Sequence, residues 1–494
     1  MANFRLCAVA TSEPGVGVVE ALKASPEVAH IVVIGGEKAD YKGSSLLRKT
    51  MAEGTRGHIM TDDAFSGSAA SFFRSAEYPE ILMEAMDTLQ RGADEHAYRP
   101  HGLKHPTDYA DYIGIVADRF ARLLTEEDIT HVVFFDIPHL FYDSLLYRLA
   151  LHLGIKTMIL RVGFDPARFY SMEEIAHYGH MRRVSPLAPS VTVEKAGTQE
   201  VYYMKGIGQE QGPRGRLTWR SLGLFAAYVV TQEPSLLVRP LALALIIRRM
   251  ARAARALPEW RDPYWKFFHT GHLDYVEKIG GLENQPVNME QRYVYFPLQF
   301  QPEMTTTILG GTYRNQLMAL EQLAAILPPD VKILVKENPK QTGQYRSPMF
   351  FHRLNRIKAV EILPSHANTH RLAAQAECVA TISSTAAWEA VTLGKPALLF
   401  GVSWMGDMPG VVRFREGLTY DDLLSTRFTH EDVEAAYGNL VAASHEGVVT
   451  RWAIRHLGNV NEVENTQRIA ETLVGLFKGE IPPTFTAPET TGNS

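Results

Sequence analysis

Four stretches place side chains able to handle an anionic ligand directly after apolar runs. The run CVATI ends in Ser383, Ser384 and Thr385, just ahead of AAWEAVTLG. Hydroxyls at a helix start cap free backbone N–H groups. The same N–H groups, with the positive end of the helix dipole, hold a phosphate. Glu389 falls one turn further on, where a carboxylate accepts from ribose hydroxyls. The plainer alternative is an N-cap followed by a first-turn acid that the dipole favours. After KILV come Lys336, Glu337, Asn338, Pro339 and Lys340, two cations and an amide suited to an anionic group. After VEIL come Pro364, Ser365 and His366. The fourth stretch is FPLQFQPE, in which Gln299, Gln301 and Glu303 alternate and so share one face. Gly310 and Gly311 follow, where the backbone can approach a partner closely.

Nearer the start, THVVFF runs into Asp136 and His139. A His beside an Asp serves as an oriented general base or as a cation near phosphate; the bland role is capping or packing. Glu13, with Gly15 and Gly17 in the loop after the first apolar run, is a further candidate. No G-x-G-x-x-G, Walker loop, G-x-S-x-G elbow, H-E-x-x-H pair or Cys/His cluster occurs, which argues against NAD enzymes, P-loop NTPases, serine hydrolases and zinc enzymes. No Asp-x-Asp pair is placed as a metal site; Asp421 and Asp422 read as a helix start. No cofactor and no essential metal are therefore expected.

The elements that must position these residues alternate. FRLCAVAT, HIVVIGG, THVVFFD and KTMILRV read as buried strands, with VVEALKAS, ADYIGIVADRFARLLTEED and SLLYRLALHLG as helices between them. Residues from about 37 to 110 carry few sharp signals. The alternation restarts near residue 292 and runs through PALLFG. Strands apolar on both faces, separated by helices, predict parallel sheets covered on both sides. At 494 residues the chain exceeds what one core usually supports. The expected division is residues 1–195, a helical segment 196–290, a second unit 291–480 and a flexible tail 481–494.

The helical segment is unusual in charge. From Arg214 to Asp262 there are nine arginines, no lysines and three acids. Arg248, Arg252 and Arg255 share one helical face, and Leu243, Ile246, Ile247 and Met250 cover much of the rest. A solvated connector is the plain reading of residues 235–257. The sharper one is an interfacial helix on an anionic membrane surface, with Leu243, Ile246 and Met250 entering the acyl boundary. A net charge of -5 gives no reason to expect a nucleic-acid partner. Cys7 and Cys378 lie far apart in predicted strands and are expected as buried free thiols. The opening MANFRLCAVATSEPG lacks the form of a signal peptide, so a cytoplasmic protein is expected, or one peripheral to the membrane's inner face.

FPLQFQPE, ILVKENP, VEILP and TISSTAAWEAVTLGKPALLFG together resemble bacterial capsular polysaccharide biosynthesis proteins, as does FFDIPHLFYDSLLYRLALHLGIKTMIL. The resemblance covers about residues 130–165 and 290–405. That family includes transferases of Kdo, an acidic eight-carbon sugar. The resemblance implies the GT-B glycosyltransferase fold, two Rossmann-like domains facing a cleft. It implies a nucleotide-sugar donor and a glycan or lipid-linked acceptor in surface polysaccharide synthesis. It puts Ser383, Ser384 and Thr385 at the family's phosphate turn and Glu389 at its helix glutamate. Lys336–Pro339 fall where many relatives have Lys-Glu-His-Pro; Asn338 replaces the histidine, which leaves UDP-, GDP- and dTDP-sugars open beside CMP-sugars. Donor contacts are expected from Gln299, Gln301, Lys336, Glu337, Asn338, Pro364, Ser383, Ser384, Thr385 and Glu389. Glu303, Asp136 or His139, and Glu13 stand as candidate bases. Rival readings are a polyol-phosphate transferase, a sugar-nucleotide epimerase and a non-catalytic assembly protein.

Overall fold

The computed structural model describes residues 3–10, 13–34, 65–91, 105–184, 191–195, 215–257, 264, 268–283, 285–341, 343, 346–364 and 367–488. Its strands are β1 (Phe4–Val9), β2 (Val28–Ile34), β3 (His131–Phe134), β4 (Lys156–Val162) and β5 (Arg168–Met172). A second set comprises β6 (Tyr293–Pro297), β7 (Lys332–Lys336), β8 (Val360–Leu363), β9 (Cys378–Thr381), β10 (Ala397–Leu399) and β11 (Val411–Arg413). The last, β12, is His445–Glu446. The chain divides into two compact units, Met1–Val191 with Ala435–Ser494, and Thr192–Glu434.

In the first unit the sheet runs β12-β5-β4-β3-β1-β2. β2, β1, β3 and β4 are mutually parallel, and β5 and β12 close the edge antiparallel. The helix Glu13–Lys23 already contains Gly15 and Gly17, which were expected in a loop. Gly17 is needed for packing: a Cβ there would lie 2.7 Å from Thr466 Cγ2 on the helix Glu462–Lys478. Ile469, Leu473, Leu476 and Phe477 of that last helix share a core with Leu6, Val18 and Val133. The expected unit 291–480 therefore ends early, because the apolar face of the C-terminal helix completes the first sheet's cover. The expected flexible tail is also corrected as far as residue 488. Phe485 is fully buried and bridges Met181, and Thr484 Oγ1 accepts from the Ser171 amide at 3.1 Å. Residues 489–494 lie outside the described residues.

The second sheet is wholly parallel, in the order β11-β10-β9-β6-β7-β8. Numbered from β6, this is the doubly wound order 3-2-1-4-5-6, with its switch point between β6 and β9. Both units are thus Rossmann-like. The segment expected as a connector belongs to the second core. Phe225 and Tyr228 of the helix Trp219–Thr231, Met250 of Pro240–Ala256, and Leu273 and Ile279 of Thr270–Leu282 pack with Val294 and Phe296 of β6. A cut at residue 291 would divide that core. Arg249 ties two of these helices together, donating to Glu277 at 2.6 and 3.1 Å and to Asp274 at 2.9 Å. Met250 is fully buried, and Leu243 and Ile246 pack against the core. The three side chains expected to meet acyl chains therefore point inward. No helix among the described residues is long and apolar enough to cross a membrane.

Candidate functional site at the carboxyl edge of the second sheet

Parallel strands bring their carboxyl ends to one rim, and ligands of such sheets bind beyond it at the switch point. β6 ends at Pro297 and β9 at Thr381, so the Gln299 and Ser383 loops leave the sheet on either side of that point. They are stitched together: Gln299 Oε1 accepts from the Ser383 amide at 2.8 Å and from Thr381 Oγ1 at 3.2 Å. Ser383 Oγ donates to the Thr305 carbonyl. Ser384 Oγ accepts from the Ala386 amide at 3.2 Å. Thr385 is the N-cap residue of the helix Ala386–Thr392 but makes no side-chain cap bond.

Next to this seam lies a buried polar core that the sequence pattern does not foreshadow. Arg346 is fully buried. Its Nε donates to Glu337 Oε2 at 2.7 Å and its Nη1 to Gln301 Oε1 at 2.8 Å. Nη2 reaches the Gln299 carbonyl at 3.2 Å, and the guanidinium lies 4.5 Å from the Phe350 ring centroid. Gln316 and Gln341 complete the set through Gln299 and Gln301. Gln301, Glu337 and Gln316 thus spend their polar groups inside the fold, which satisfies the rule for buried polar atoms. Their place in the sequence resembles a ligand-facing stripe, because Arg346 stands in an irregular stretch with no periodic signal.

One strand over, a second cluster behaves differently. Lys336, the last residue of β7, is buried, and its Nζ donates to Thr369 Oγ1 at 2.8 Å. Thr369 begins the helix Thr369–Gln375, which the Asn368 side chain caps from the Arg371 amide at 3.0 Å. The next residue, His370, sits 3.6 Å from Glu389 Oε2 through Nδ1, too far for a hydrogen bond. Burial raises the Glu389 carboxyl to about 7, against the pull of the Lys336 charge. Burial, and then the Lys336 charge, push the His370 imidazole down. Burial pushes the Tyr295 phenol of β6 up, and the nearby Glu389 carboxylate adds to the effect. A fixed cation, a carboxyl poised near neutrality and a neutral imidazole therefore share one rim. Such perturbed groups gather at functional sites. His370 is absent from the sequence-based candidates; its signal was the first turn of a helix after a rim loop.

The other expected residues take separate places. Asn338 turns back on its own loop, its Oδ1 accepting from the Lys340 amide at 2.9 Å. Pro364 is buried just past β8, and Ser365 and His366 lie outside the described residues. Glu303 is exposed at the start of the short helix Met304–Thr307 and accepts from Thr305 Oγ1 at 2.8 Å. Gly310 has the role expected of it: a Cβ there would lie 2.3 Å from the Thr306 carbonyl oxygen.

In the first unit, β1 and β3 flank that sheet's own switch point. Glu13 opens the helix after β1, and Asp136 follows β3. Asp136 is held by Arg161, whose Nη1 donates to both carboxylate oxygens at 2.6 and 2.7 Å. His139 donates through Nδ1 to the Ile137 carbonyl at 2.7 Å. Asp143, missed from sequence, is buried in the first turn of the helix Phe141–His152, and burial pushes its carboxyl well above the usual range.

Residues 273–450 match the family of capsule polysaccharide biosynthesis proteins. That span holds the whole second rim, and it bears out the resemblance carried by the ILVKENP and TISSTAAWEA motifs. No curated protein sequence matches the chain. Among solved structures it is similar to the KpsC beta Kdo 2,4 transferase of Thermosulfurimonas dismutans, with 15% identity over 64% of this chain and 85% of that one and a TM-score of 0.27. The beta Kdo 2,7 transferase of the same KpsC is 11% identical over 79% and 96%, at a TM-score of 0.31. The UDP-GlcNAc 2-epimerase of Methanocaldococcus jannaschii is 12% identical over 96% and 99%, at 0.23. Likenesses this loose carry no residue roles across.

Proposed function

We propose that the protein is a glycosyltransferase of surface polysaccharide synthesis, taking its sugar from a nucleotide-sugar donor held on the second unit's rim. The observation that carries this reading is the gathering of Lys336, Thr369, His370 and Glu389 beyond β7, beside the switch point of a doubly wound sheet. The capsule-family match over the same residues supports it.

The chemistry asks little covalent work of the protein. The acceptor hydroxyl oxygen bonds to the anomeric carbon as the bond from that carbon to the donor phosphate breaks. The electron pair leaves with the nucleotide phosphate, and the hydroxyl proton passes to a base. Preorganised positive charge at the leaving group is usually the largest contribution to such catalysis. Lys336 supplies that charge, with donors from the Ser384–Thr385 turn and Asn338 beside it. Glu389, near neutrality, accepts from a ribose hydroxyl when ionised. Glu303, Asp136, His139 and Glu13 remain the candidates for the base. Of these, Asp136 already accepts from Arg161 through both carboxylate oxygens.

The reading is tested by supplying labelled UDP-, GDP-, dTDP- and CMP-sugars with and without a lipid-linked oligosaccharide. Label should enter the acceptor from one donor class, with release of its nucleotide. Donor isomerised without acceptor would mark an epimerase, and no turnover or nucleotide binding at all would mark an assembly protein; either contradicts the proposal.

A further inference from the structure

The helices added to the second unit's core leave an unusual surface on their outer side. Trp219, Val230, Leu237, Val238, Leu241 and Leu245 are 89, 63, 58, 81, 81 and 60% exposed. They fall on one continuous helix–turn–helix: Trp219–Thr231, the tight turn Pro234–Val238 and Pro240–Ala256. On the first helix the exposed positions 219, 223, 226, 227 and 230 form one stripe of apolar and glycine residues, opposite buried Phe225 and Val229. On the second, exposed Leu241 and Leu245 give way, along the same face, to exposed Arg248, Arg252 and Arg255.

Charge around this surface is predominantly positive. Between Arg216 and Leu257 the exposed ionisable residues are Arg216, Arg220, Arg239, Arg248, Arg252 and Arg255, against a single acid, Glu233. Arg249, half-buried, is committed to Glu277 and Asp274. An apolar patch rimmed by polar groups marks a contact surface. Apolar side chains set among arginines fit a surface that is itself apolar below and anionic above. A second copy docked about a two-fold axis would set the same arginines against one another, which costs affinity.

We infer that residues 219–256 form a monotopic docking surface for an anionic lipid bilayer, resting on it rather than crossing it. The side chains that enter are Trp219, Val230, Leu237, Val238, Leu241 and Leu245, while the arginines meet headgroups. This is the opposite side of the helix Pro240–Ala256 from the one expected of Leu243, Ile246 and Met250, which are spent on the core. The inference stands apart from the transfer reading and fails or holds without it.

Flotation of the full chain with vesicles of phosphatidylcholine, and of phosphatidylcholine mixed with phosphatidylglycerol, tests it. The protein should float with the anionic vesicles only, and rising salt should release it. Leu241→Ser with Leu245→Ser, and separately the triple exchange of Arg248, Arg252 and Arg255 to Gln, should each weaken partitioning roughly tenfold or more. Melting temperatures should stay put, because every exchanged side chain is exposed; Leu237→Ser with Val238→Ser provides an independent pair should one variant fold poorly. The inference is overturned by absence of flotation on anionic vesicles, or by flotation indifferent to all three variants. It is equally overturned by a lipid-independent dimer that Leu241→Ser with Leu245→Ser dissolves.

Discussion

Arg346 and Lys336 are both buried cations in the second unit, yet their surroundings are opposite. Around Arg346 the opposite charge is in direct contact: Glu337 accepts at 2.7 Å, and the Gln301 side chain and the Gln299 carbonyl accept from the terminal nitrogens. Lys336 Nζ donates to the Thr369 hydroxyl, and the carboxyl that senses its charge stays near 7 because burial outweighs attraction. The first arrangement has the form of a fastening: it locks the loop after β7 to the loop after β6. The second leaves a cation, a half-ionised carboxyl and a neutral imidazole together, a set that an anionic, hydroxyl-bearing ligand would complete.

The largest way to break the contrast is at Arg346. Removing one member of a buried ion pair typically costs about 3–5 kcal/mol, because the other charge is stranded. Arg346→Met should lower the stability measured by urea unfolding by that amount, and adding Glu337→Gln should recover part of it. A loss of less than about 1 kcal/mol would show that the network is not a fastening.

Glu389 gives a smaller effect with a definite sign. Its folded value of about 7 lies above the ordinary 4.5, so the folded chain binds more protons between those values. Its contribution to stability is therefore fully present below pH 4.5 and is lost as pH rises through 7. At most it amounts to about 3 kcal/mol, since each tenfold change in proton affinity is worth roughly 1.4 kcal/mol. The difference in melting temperature between Glu389→Gln and the native chain should widen in the variant's favour as pH rises from 5 to 8. Parallel profiles would place Glu389 in water and remove the contrast. Comparing the two chains cancels the other displaced groups, such as His131 and His445, both pushed down to about 4 first by burial.

Most of the strands were legible in the sequence because buried parallel strands read as unbroken apolar runs; β1, β6, β7 and β9 fall inside FRLCAVAT, RYVYFPLQ, VKILVKENP and CVATISS. β5, β11 and β12 were not: β5 is buried but mixed in composition, while β11 and β12 are very short and only partly buried. The return of residues 435–494 to the first unit was hidden because an amphipathic helix shows that it has a buried face, not which sheet it covers. The same ambiguity reversed the helix Pro240–Ala256: its leucines occupy both sides, and only packing chose Leu243 over Leu241 for the core. On the candidate rim, the positions of Lys336 and Glu389 after strands were legible in the sequence. Gln299, Gln301 and Glu337 were read as ligand-facing because their partner Arg346 lies in a loop, and the distance between them along the chain carries no signal.

Calorimetric titration of UDP, GDP, dTDP and CMP into native and Lys336→Met protein tests whether the Lys336 rim, rather than the Arg346 fastening, holds the proposed donor nucleotide. One nucleotide should bind the native chain, and Lys336→Met should weaken it roughly tenfold to a hundredfold, the scale of a charge-assisted hydrogen bond to phosphate, while the protein stays folded. Equal affinity in the two folded proteins would contradict the account.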